Sequence, residues 1–127
     1  MILIAATAMA FNLICSGQTS WSSKIPFAPP DSVGTFEIVY RVDLSSGRYC
    51  VNKCTSTRPI HEVTTTRIIF ELEERGTLDD TLTFVSRENG RYTDRTRRYI
   101  SGDTVMINLS QGECRSAPFT GFPALKF

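Results

Sequence analysis

In this 127-residue chain, the side chains most able to form a covalent bond or bind a metal are two cysteines in the stretch RYCVNKC, Cys50 and Cys54. On a single β-strand their Cα atoms would lie roughly 13 Å apart, at about 3.3 Å per residue, whereas a disulfide tolerates no more than about 7 Å. They can therefore bond to each other only if the strand is broken between them. With Cys114 and His61 they would complete a Cys3His zinc set. Structural zinc sites usually take their cysteines in pairs from a tight turn, whereas this chain offers only a spaced pair on a strand, so we expect no metal. We expect His61 to be a solvated loop residue.

The N-terminal segment MILIAATAMAFNLICSG carries no charged side chain and is almost entirely apolar. It is short for a bilayer span, which takes roughly 20 apolar residues. It ends in small residues, with Cys15 and Gly17 at the −3 and −1 positions of a cleavage site before Gln18. We therefore predict a secretory signal peptide at 1–17, a single β domain at 18–127, and an extracellular protein that no membrane holds. The alternative is a buried N-terminal helix or strand.

Cleavage after Gly17 would leave an odd number of cysteines. The economical pairing is then one disulfide from Cys50 or Cys54 to Cys114, which closes a loop of about 60 residues. The third thiol is free, or its partner lies in a segment that this chain lacks. An extracellular compartment favours such oxidation over metal ligation.

No group of residues indicates catalysis. A serine–histidine–acid triad cannot be argued around one histidine in a loop, and no glycine-rich phosphate loop follows a strand. A cluster of carboxylates around one turn is typical of a solvated edge rather than of a pair held in a cleft. That cluster comprises Glu71, Glu73, Glu74, Asp79 and Asp80. We expect neither an enzyme nor a bound cofactor.

A run of basic residues is the densest charge feature of the chain, although the formal net charge of only +1 gives no global reason to expect a nucleic-acid partner. The run could bind an acidic glycosaminoglycan or an anionic lipid head group. An exposed hairpin whose charged edges resist aggregation is the favoured alternative. The run consists of Arg87, Arg91, Arg95, Arg97 and Arg98.

Alternation of apolar and polar residues from Gly34 onward predicts β-strands. The segments GTFEIVYRVD, TTTRIIFELEE, TLTFVSRE and DTVMINLS each place apolar side chains on one face, and Asn89-Gly90 predicts a tight hairpin turn. About six strands joined by short turns predict an all-β antiparallel meander. Closure into a barrel would protect its edges; a sandwich is the alternative, and the alternation does not distinguish the two.

Asn108 lies in the glycosylation sequon Asn108-Leu109-Ser110. The alternation of DTVMINLS puts this asparagine on the face opposite Val105, Ile107 and Leu109. We therefore expect Asn108 to be glycosylated, with the glycan pointing to solvent.

Four features resemble the salivary lipocalins of ticks: Trp21 in an extended N-terminal segment, TFEIVYR at 35–41, YCV at 49–51, and the threonine-rich EVTTTRIIFEL. The resemblance covers residues 18–90. It implies a lipocalin-like β-barrel in a short or truncated member, since the tail APFTGFPALKF shows no C-terminal helix. It also implies that Cys50 bonds a late cysteine, Cys114. The chain departs from the family's amine-binding signature, in which an acidic residue follows a later cysteine, because Arg115 follows Cys114.

The resemblance implies a secreted salivary protein that sequesters a small apolar or amphipathic host mediator, a lipid mediator or a biogenic amine, and so dampens host defence. Arginines at the barrel mouth would pair with the carboxylate head group of a lipid. We expect a monomer whose cavity is lined by Phe36, Ile38, Tyr40, Ile68, Phe70, Leu72 and Phe84. The same residues could instead fill a solid core. The second hypothesis is a module that binds a host immune protein or a glycosaminoglycan through its outer surface.

Overall fold

The computed structural model describes residues 9–23, 32–74, 79–101 and 104–123. These ranges form nine β-strands. All neighbouring strands pair in the antiparallel direction, which confirms the all-β antiparallel prediction. The strands are β1 (Ala10–Ser23), β2 (Ser32–Asp43), β3 (Arg48–Val51), β4 (Arg58–Pro59), β5 (Glu62–Val63), β6 (Arg67–Glu74), β7 (Asp80–Ser86), β8 (Arg91–Ser101) and β9 (Thr104–Ala117). No helix that could cross a bilayer occurs within the described ranges.

The nine strands form one curled sheet. Its order is β4-β3-β2-β1-β9-β8-β7-β6-β5, so two meanders are joined by the pairing of β1 with β9. The edge strands β4 and β5 are consecutive in the chain, and only Ile60 and His61 separate them. Three Cα–Cα steps of about 3.8 Å bring the two edges within about 11 Å of each other. Within the described residues no ladder joins β4 to β5, so the sheet is an open, barrel-like sheet and the predicted full closure is not met.

A row of four residues across the sheet marks where it bends. Phe36 on β2 lies beside Gly17 on β1, which pairs with Gly112 on β9, which in turn pairs with Tyr92 on β8. A Cβ on either glycine would overlap the backbone of the opposite strand, so β1 and β9 approach too closely for side chains at this pair. The rings of Phe36 and Tyr92 are 5.6 Å apart although two strands separate them. We call the face that carries these rings the concave face and the opposite one the convex face.

The disulfide Cys15–Cys114 joins the two central strands two residues from the glycine pair on each strand. Its Cα–Cα distance is 3.9 Å. Both cysteines are fully buried. The predicted bond from Cys50 to Cys114 is therefore wrong, because Cys114 faces Cys15 directly across β1 and β9. Because its two cysteines are 99 positions apart in the chain, this bond contributes about 4.7 kcal/mol by chain entropy.

The second disulfide, Cys50–Cys54, exists because the strand breaks between the two cysteines. Strand β3 ends at Val51, and Asn52 and Cys54 take left-handed conformations with φ of 51° and 57°. The Cys54 amide donates to the Val51 carbonyl at 2.9 Å, and the two Cα atoms lie 5.1 Å apart. The expectation of an odd thiol is wrong, and none of the cysteines of the zinc set is a thiolate donor. Two disulfides indicate an oxidising compartment.

Strand β1 contains the segment that was assigned to a signal peptide. Phe11, Leu13 and Cys15 are buried in the core at the centre of the sheet, as the buried-strand alternative describes. Cleavage after Gly17 would remove these side chains and the partner of Cys114. The predicted cleavage and this fold therefore exclude each other in one mature chain, and the mature N-terminus stays a prediction to be measured.

The C-terminal segment 118–123 packs over the convex side of β1 and β2 without regular structure. The buried Asn12 donates through Nδ2 to the Thr120 hydroxyl at 2.9 Å and accepts from the Thr120 amide at 3.3 Å. Arg41 donates to the Gly121 carbonyl at 3.1 Å. These bonds fix the tail on the outside of the sheet, away from the concave face.

Candidate ligand site on the concave face

The concave face is divided into an apolar end and a polar end by the row that carries Phe36 and Tyr92. The apolar end is a packed core. Its buried members are Phe11, Leu13, Cys15, Tyr40, Val42, Tyr49, Ile68, Phe70, Val85, Tyr92 and Cys114. Beyond the dividing row, two consecutive rows of mostly polar side chains cross β1, β9, β8, β7 and β6. The inner polar row is Thr19, Ser110, Asp94, Thr83 and Glu71, and the outer polar row is Trp21, Asn108, Thr96, Thr81 and Glu73.

A β-bulge at Phe70 brings the acidic end of β6 onto the concave face. The pairing of β6 with β7 shifts between Ile69 and Glu71, and one extra residue moves every later side chain to the other face. Phe70 is buried in the core, yet Glu71 follows on the same face beside Thr83. Leu72 consequently lies on the convex face and is 38% exposed. The alternation that placed Leu72 inside is wrong beyond Phe70.

Three tyrosines form the floor between the core and the polar rows. The ring of Tyr40 stacks on Phe70 with centroids 4.3 Å apart, and the Tyr49 ring lies 4.9 Å from the same phenylalanine. The hydroxyls of Tyr40 and Tyr92 are 2.5 Å apart. Burial is the largest cause of the raised pKa of all three phenols, and nearby carboxylates raise it further. The floor is therefore a set of neutral phenols that contact one another through their rings and through the hydrogen bond between Tyr40 and Tyr92.

Asp94 is one of two carboxylates that line the cavity beside this floor, the other being Glu71. It is partly buried, and Thr83, itself 5% exposed, donates its hydroxyl to Asp94 Oδ1 at 2.8 Å. Burial raises the pKa of Asp94, and the Thr83 hydrogen bond partly opposes that rise. The charge of Asp94 in turn raises the pKa of Tyr40, Tyr49 and Tyr92. Within the described residues no salt bridge to Asp94 is present, so its carboxylate faces the floor without a directly paired cation.

A cavity of about 270 Å³ lies between the floor and the polar rows. It is lined by Tyr40, Tyr49, Val51, Arg58, Glu71, Thr81, Thr83, Asp94, Thr96 and Arg98. A second cavity of about 390 Å³ shares Glu71, Thr81, Thr96 and Arg98 with the first and extends to Asp80 and Arg97 at the ends of β7 and β8. We call the two adjoining cavities together the concave site. Their size suits a small-molecule ligand.

Most of the side chains that were predicted to line a cavity lie elsewhere. Tyr40 lines the site, but Ile68 and Phe70 are packed in the core, and Phe36 and Ile38 are partly buried against it. The filled-core alternative thus describes the apolar end. The remaining two, Leu72 and Phe84, are on the convex face.

On β7 the inner face was assigned to the wrong set of residues. The alternation of TLTFVSRE places the apolar Leu82 and Phe84 on one face and predicts Phe84 inside, whereas Thr83 and Val85 are the buried residues. Phe84 instead lies on the convex face under the guanidinium of Arg67, at 5.3 Å. Val85 was the sequence signal for the inner face of β7. It is apolar and fully buried, and Thr81 and Thr83 lie on the same face.

Asn108, the sequon asparagine, lies on the concave face. Its Oδ1 accepts from the Thr19 hydroxyl at 3.4 Å, and Ser110 donates to the same hydroxyl at 2.9 Å. The predicted placement of Asn108 on the outer face of the sheet is therefore wrong: in β9 the even-numbered residues share the face of the buried Cys114. Its glycosylation stays a prediction. A glycan at Asn108 would project over the mouth of the site.

The arginine run is divided by the fold into separate groups. Arg95 and Arg97 lie on the convex face and pair with Asp80, whose pKa is lowered chiefly by the Arg97 hydrogen bond. Arg87 donates to the Thr64 carbonyl at 2.8 Å, and Arg98 lines the cavity. No single basic surface of the five arginines forms.

No family model matches this chain, and neither the curated proteins nor the solved structures contain a match. The described residues also hold no group of three or more histidine, cysteine, aspartate or glutamate side chains that could bind a metal ion. His61 is exposed on the link between the two edge strands.

Proposed function

We propose that this protein binds and sequesters a small amphipathic organic cation, of the biogenic amine class, in the concave site. The observation that carries the proposal is Asp94, a partly buried carboxylate without a described counter-ion above a floor of tyrosines. An ammonium group would pair with Asp94, and the apolar body of the ligand would lie against Tyr40 and Tyr49.

The chemistry of the lining supports a cation. A positive charge gains electrostatic energy from a carboxylate and from the faces of nearby aromatic rings. Burial strengthens both interactions because solvent screening is reduced. The hydroxyls of Thr81, Thr83 and Thr96 can accept the remaining ammonium hydrogens. Glu71 adds a second negative charge across the cavity.

The same lining disfavours the lipid alternative. A fatty-acid-like ligand needs a long apolar lumen with a cation at its mouth, but the apolar end of the described interior is filled by core side chains. The space that remains is bordered by threonines and carboxylates. Burying an apolar tail there would leave these polar groups without partners, which costs free energy.

The oxidising compartment that the two disulfides indicate is compatible with the role that the resemblance to tick salivary lipocalins implies. In that role the protein is secreted into host tissue and lowers the free concentration of a host mediator. The outer-surface alternative has less support, because the arginine run that could bind a glycosaminoglycan is divided between the two faces.

Isothermal titration calorimetry with tyramine, tryptamine, serotonin and histamine, and with decanoate as the lipid probe, tests the proposal. We expect at least one amine to bind and Asp94→Asn to weaken it more than tenfold. The matched control is Glu88→Gln, the same chemical change at an exposed carboxylate of the β7–β8 turn, which should leave the affinity unchanged. The proposal fails if no amine binds, or if Asp94→Asn binds amines as the parent does.

A further inference from the structure

The cavity that holds Asp94 and Glu71 also has two cationic side chains at its rim. Arg58 on β4 and Arg98 on β8 line the same space and are both exposed. Asp94 and Arg98 are four residues apart on one strand and face the same side, so their Cα atoms lie about 13 Å apart. The site thus has two carboxylates beside the tyrosine floor and two exposed guanidinium groups, of which Arg98 is the one that lies far along β8 from Asp94.

Neither rim arginine makes a salt bridge within the described residues. Arg98 makes no hydrogen bond or ion pair within the described part of the chain. Arg58 lies opposite Tyr49 across β3 and β4, and its positive charge opposes the burial-driven rise of that phenol's pKa. Two guanidinium groups at a cavity mouth present the paired N–H donors that bind carboxylates in a bidentate manner.

We propose that the ligand of this site is a zwitterion in which a carboxylate is separated from the ammonium group by a rigid apolar body. The ammonium pairs with Asp94, and the carboxylate is held by Arg58 and Arg98. This inference rests on the proposed function and adds the anionic end of the ligand to it. A plain amine leaves the two arginines unused, whereas an α-amino acid has its two charges too close together to reach both Asp94 and Arg98.

Three probes of one shape isolate the carboxylate: 4-(2-aminoethyl)benzoate, its neutral amide 4-(2-aminoethyl)benzamide, and phenethylamine. Phenylalanine serves as the zwitterion with adjacent charges. We expect the benzoate to bind about tenfold more tightly than the benzamide, because a charged hydrogen bond replaces a neutral one. Phenylalanine should show no such advantage over phenethylamine.

The variants Arg58→Gln and Arg98→Gln should reduce the benzoate's advantage singly and abolish it together, while the affinity for phenethylamine stays the same. Arg91→Gln is the matched control, since Arg91 is exposed on the convex side of β8. Asp94→Asn should weaken all the amine probes alike. Equal binding of benzoate and benzamide, or an advantage that survives in the double arginine variant, would overturn the zwitterion proposal. Phenethylamine binding that persists in that case leaves the proposed function standing; if no probe binds, both proposals fail.

Discussion

The apolar and polar ends of the concave face are built by the same strands, yet they have different tasks. At the apolar end, Leu13, Val42, Ile68 and Val85 are fully buried, and the Cys15–Cys114 bond crosses the centre of the sheet. At the polar end, the next rows along the same strands carry threonines and carboxylates around a cavity. The comparison shows that stability and binding occupy different rows of one sheet. A substitution at one end should therefore leave the property of the other end largely intact.

Two local features separate the ends. The paired glycines Gly17 and Gly112 let the central strands approach, and the rings of Phe36 and Tyr92 cover them. The bulge at Phe70 then turns β6 so that a carboxylate, rather than Leu72, continues the inner face. Without the bulge the concave face would stay apolar along β6, and the site would lose Glu71.

Removing the two disulfides one at a time should give the largest expected difference in the free energy of unfolding. Replacing both Cys15 and Cys114 by alanine should lower the free energy of unfolding by about 4 to 5 kcal/mol, because the bond closes a long loop across the central strands. The pair Cys50→Ala and Cys54→Ala should cost about 2 kcal/mol by the same relation, since their loop is short. Urea unfolding of the oxidised proteins measures both.

A peptide map of the secreted protein without reduction shows where the mature chain begins and which cysteine is bonded to Cys114. The structure predicts a fragment in which Cys15 is linked to Cys114. A chain that begins at Gln18, with Cys114 unpaired, would instead show that the signal cleavage predicted from the sequence occurs and that β1 does not belong to the mature sheet.

Asp94→Asn should separate binding from stability at the polar end. The affinity for the amine should fall more than tenfold, since the loss of one charged partner costs about 1.5 to 3 kcal/mol. The melting temperature should not fall, because burial penalises the charged form of Asp94 and the amide can still accept from Thr83. Calorimetric titration and thermal unfolding of the same preparation test this; a variant that unfolds at a clearly lower temperature would show that Asp94 is a structural residue.

The pH dependence of the two properties should have opposite signs. The pKa of Asp94 is raised above its unfolded value of 3.8, so the folded state binds the proton more tightly. Its contribution to stability is present in full below 3.8 and is lost as the pH rises through the folded pKa. Amine affinity instead appears as the pH rises through that pKa, since only the ionised carboxylate attracts the ammonium. The groups that face Asp94 in the cavity are Glu71, Tyr40, Tyr49, Arg58 and Arg98.

The difference between the parent and Asp94→Asn isolates this effect from other carboxylates. Asp43 and Asp80 have lowered pKa values, chiefly through hydrogen bonds from Ser45 and Arg97 respectively. Their contributions are present above the unfolded pKa and are lost as the pH falls through the folded pKa, which is the reverse of Asp94. Amine affinity that is equal at pH 4 and pH 7 would contradict the role of an ionised Asp94.

The sequence predicted the class of the fold because alternation is a local property. Strand β2 follows its period-two pattern, and Tyr40 and Val42 are buried as that pattern requires. The bulge at Phe70 has no such local signature, since RIIFELEE is compatible with either face after the phenylalanine. Likewise, the break after Val51 depends on two non-glycine residues in left-handed conformations. Asn52 is of a type that adopts this conformation readily, whereas Cys54 is not.

The candidate site was missed for a related reason. Its residues are threonines and acids spread over five strands, and they become neighbours only through pairing partners that are distant in the chain, such as Thr19 with Ser110. The predicted signal peptide at 1–17 contains most of β1 and the partner of Cys114. A mature domain that begins at Gln18 therefore lacks the pairing of β1 with β9, which the polar rows cross.

The smallest expected effect tests the bulge. If Leu72 lay inside, as the alternation of β6 predicted, Leu72→Ala would create a core cavity and cost about 2 to 5 kcal/mol. On the convex face, where it is 38% exposed beside Leu82, the same change should cost no more than about 1 kcal/mol and should leave amine binding unchanged. Ile68→Ala, at a fully buried position on the same strand, is the matched control and should cost the larger amount. Equal losses for the two variants in urea unfolding would mean that Leu72 belongs to the core and that β6 continues without a bulge, in which case Glu71 would turn outward and the site would rest on Asp94 alone.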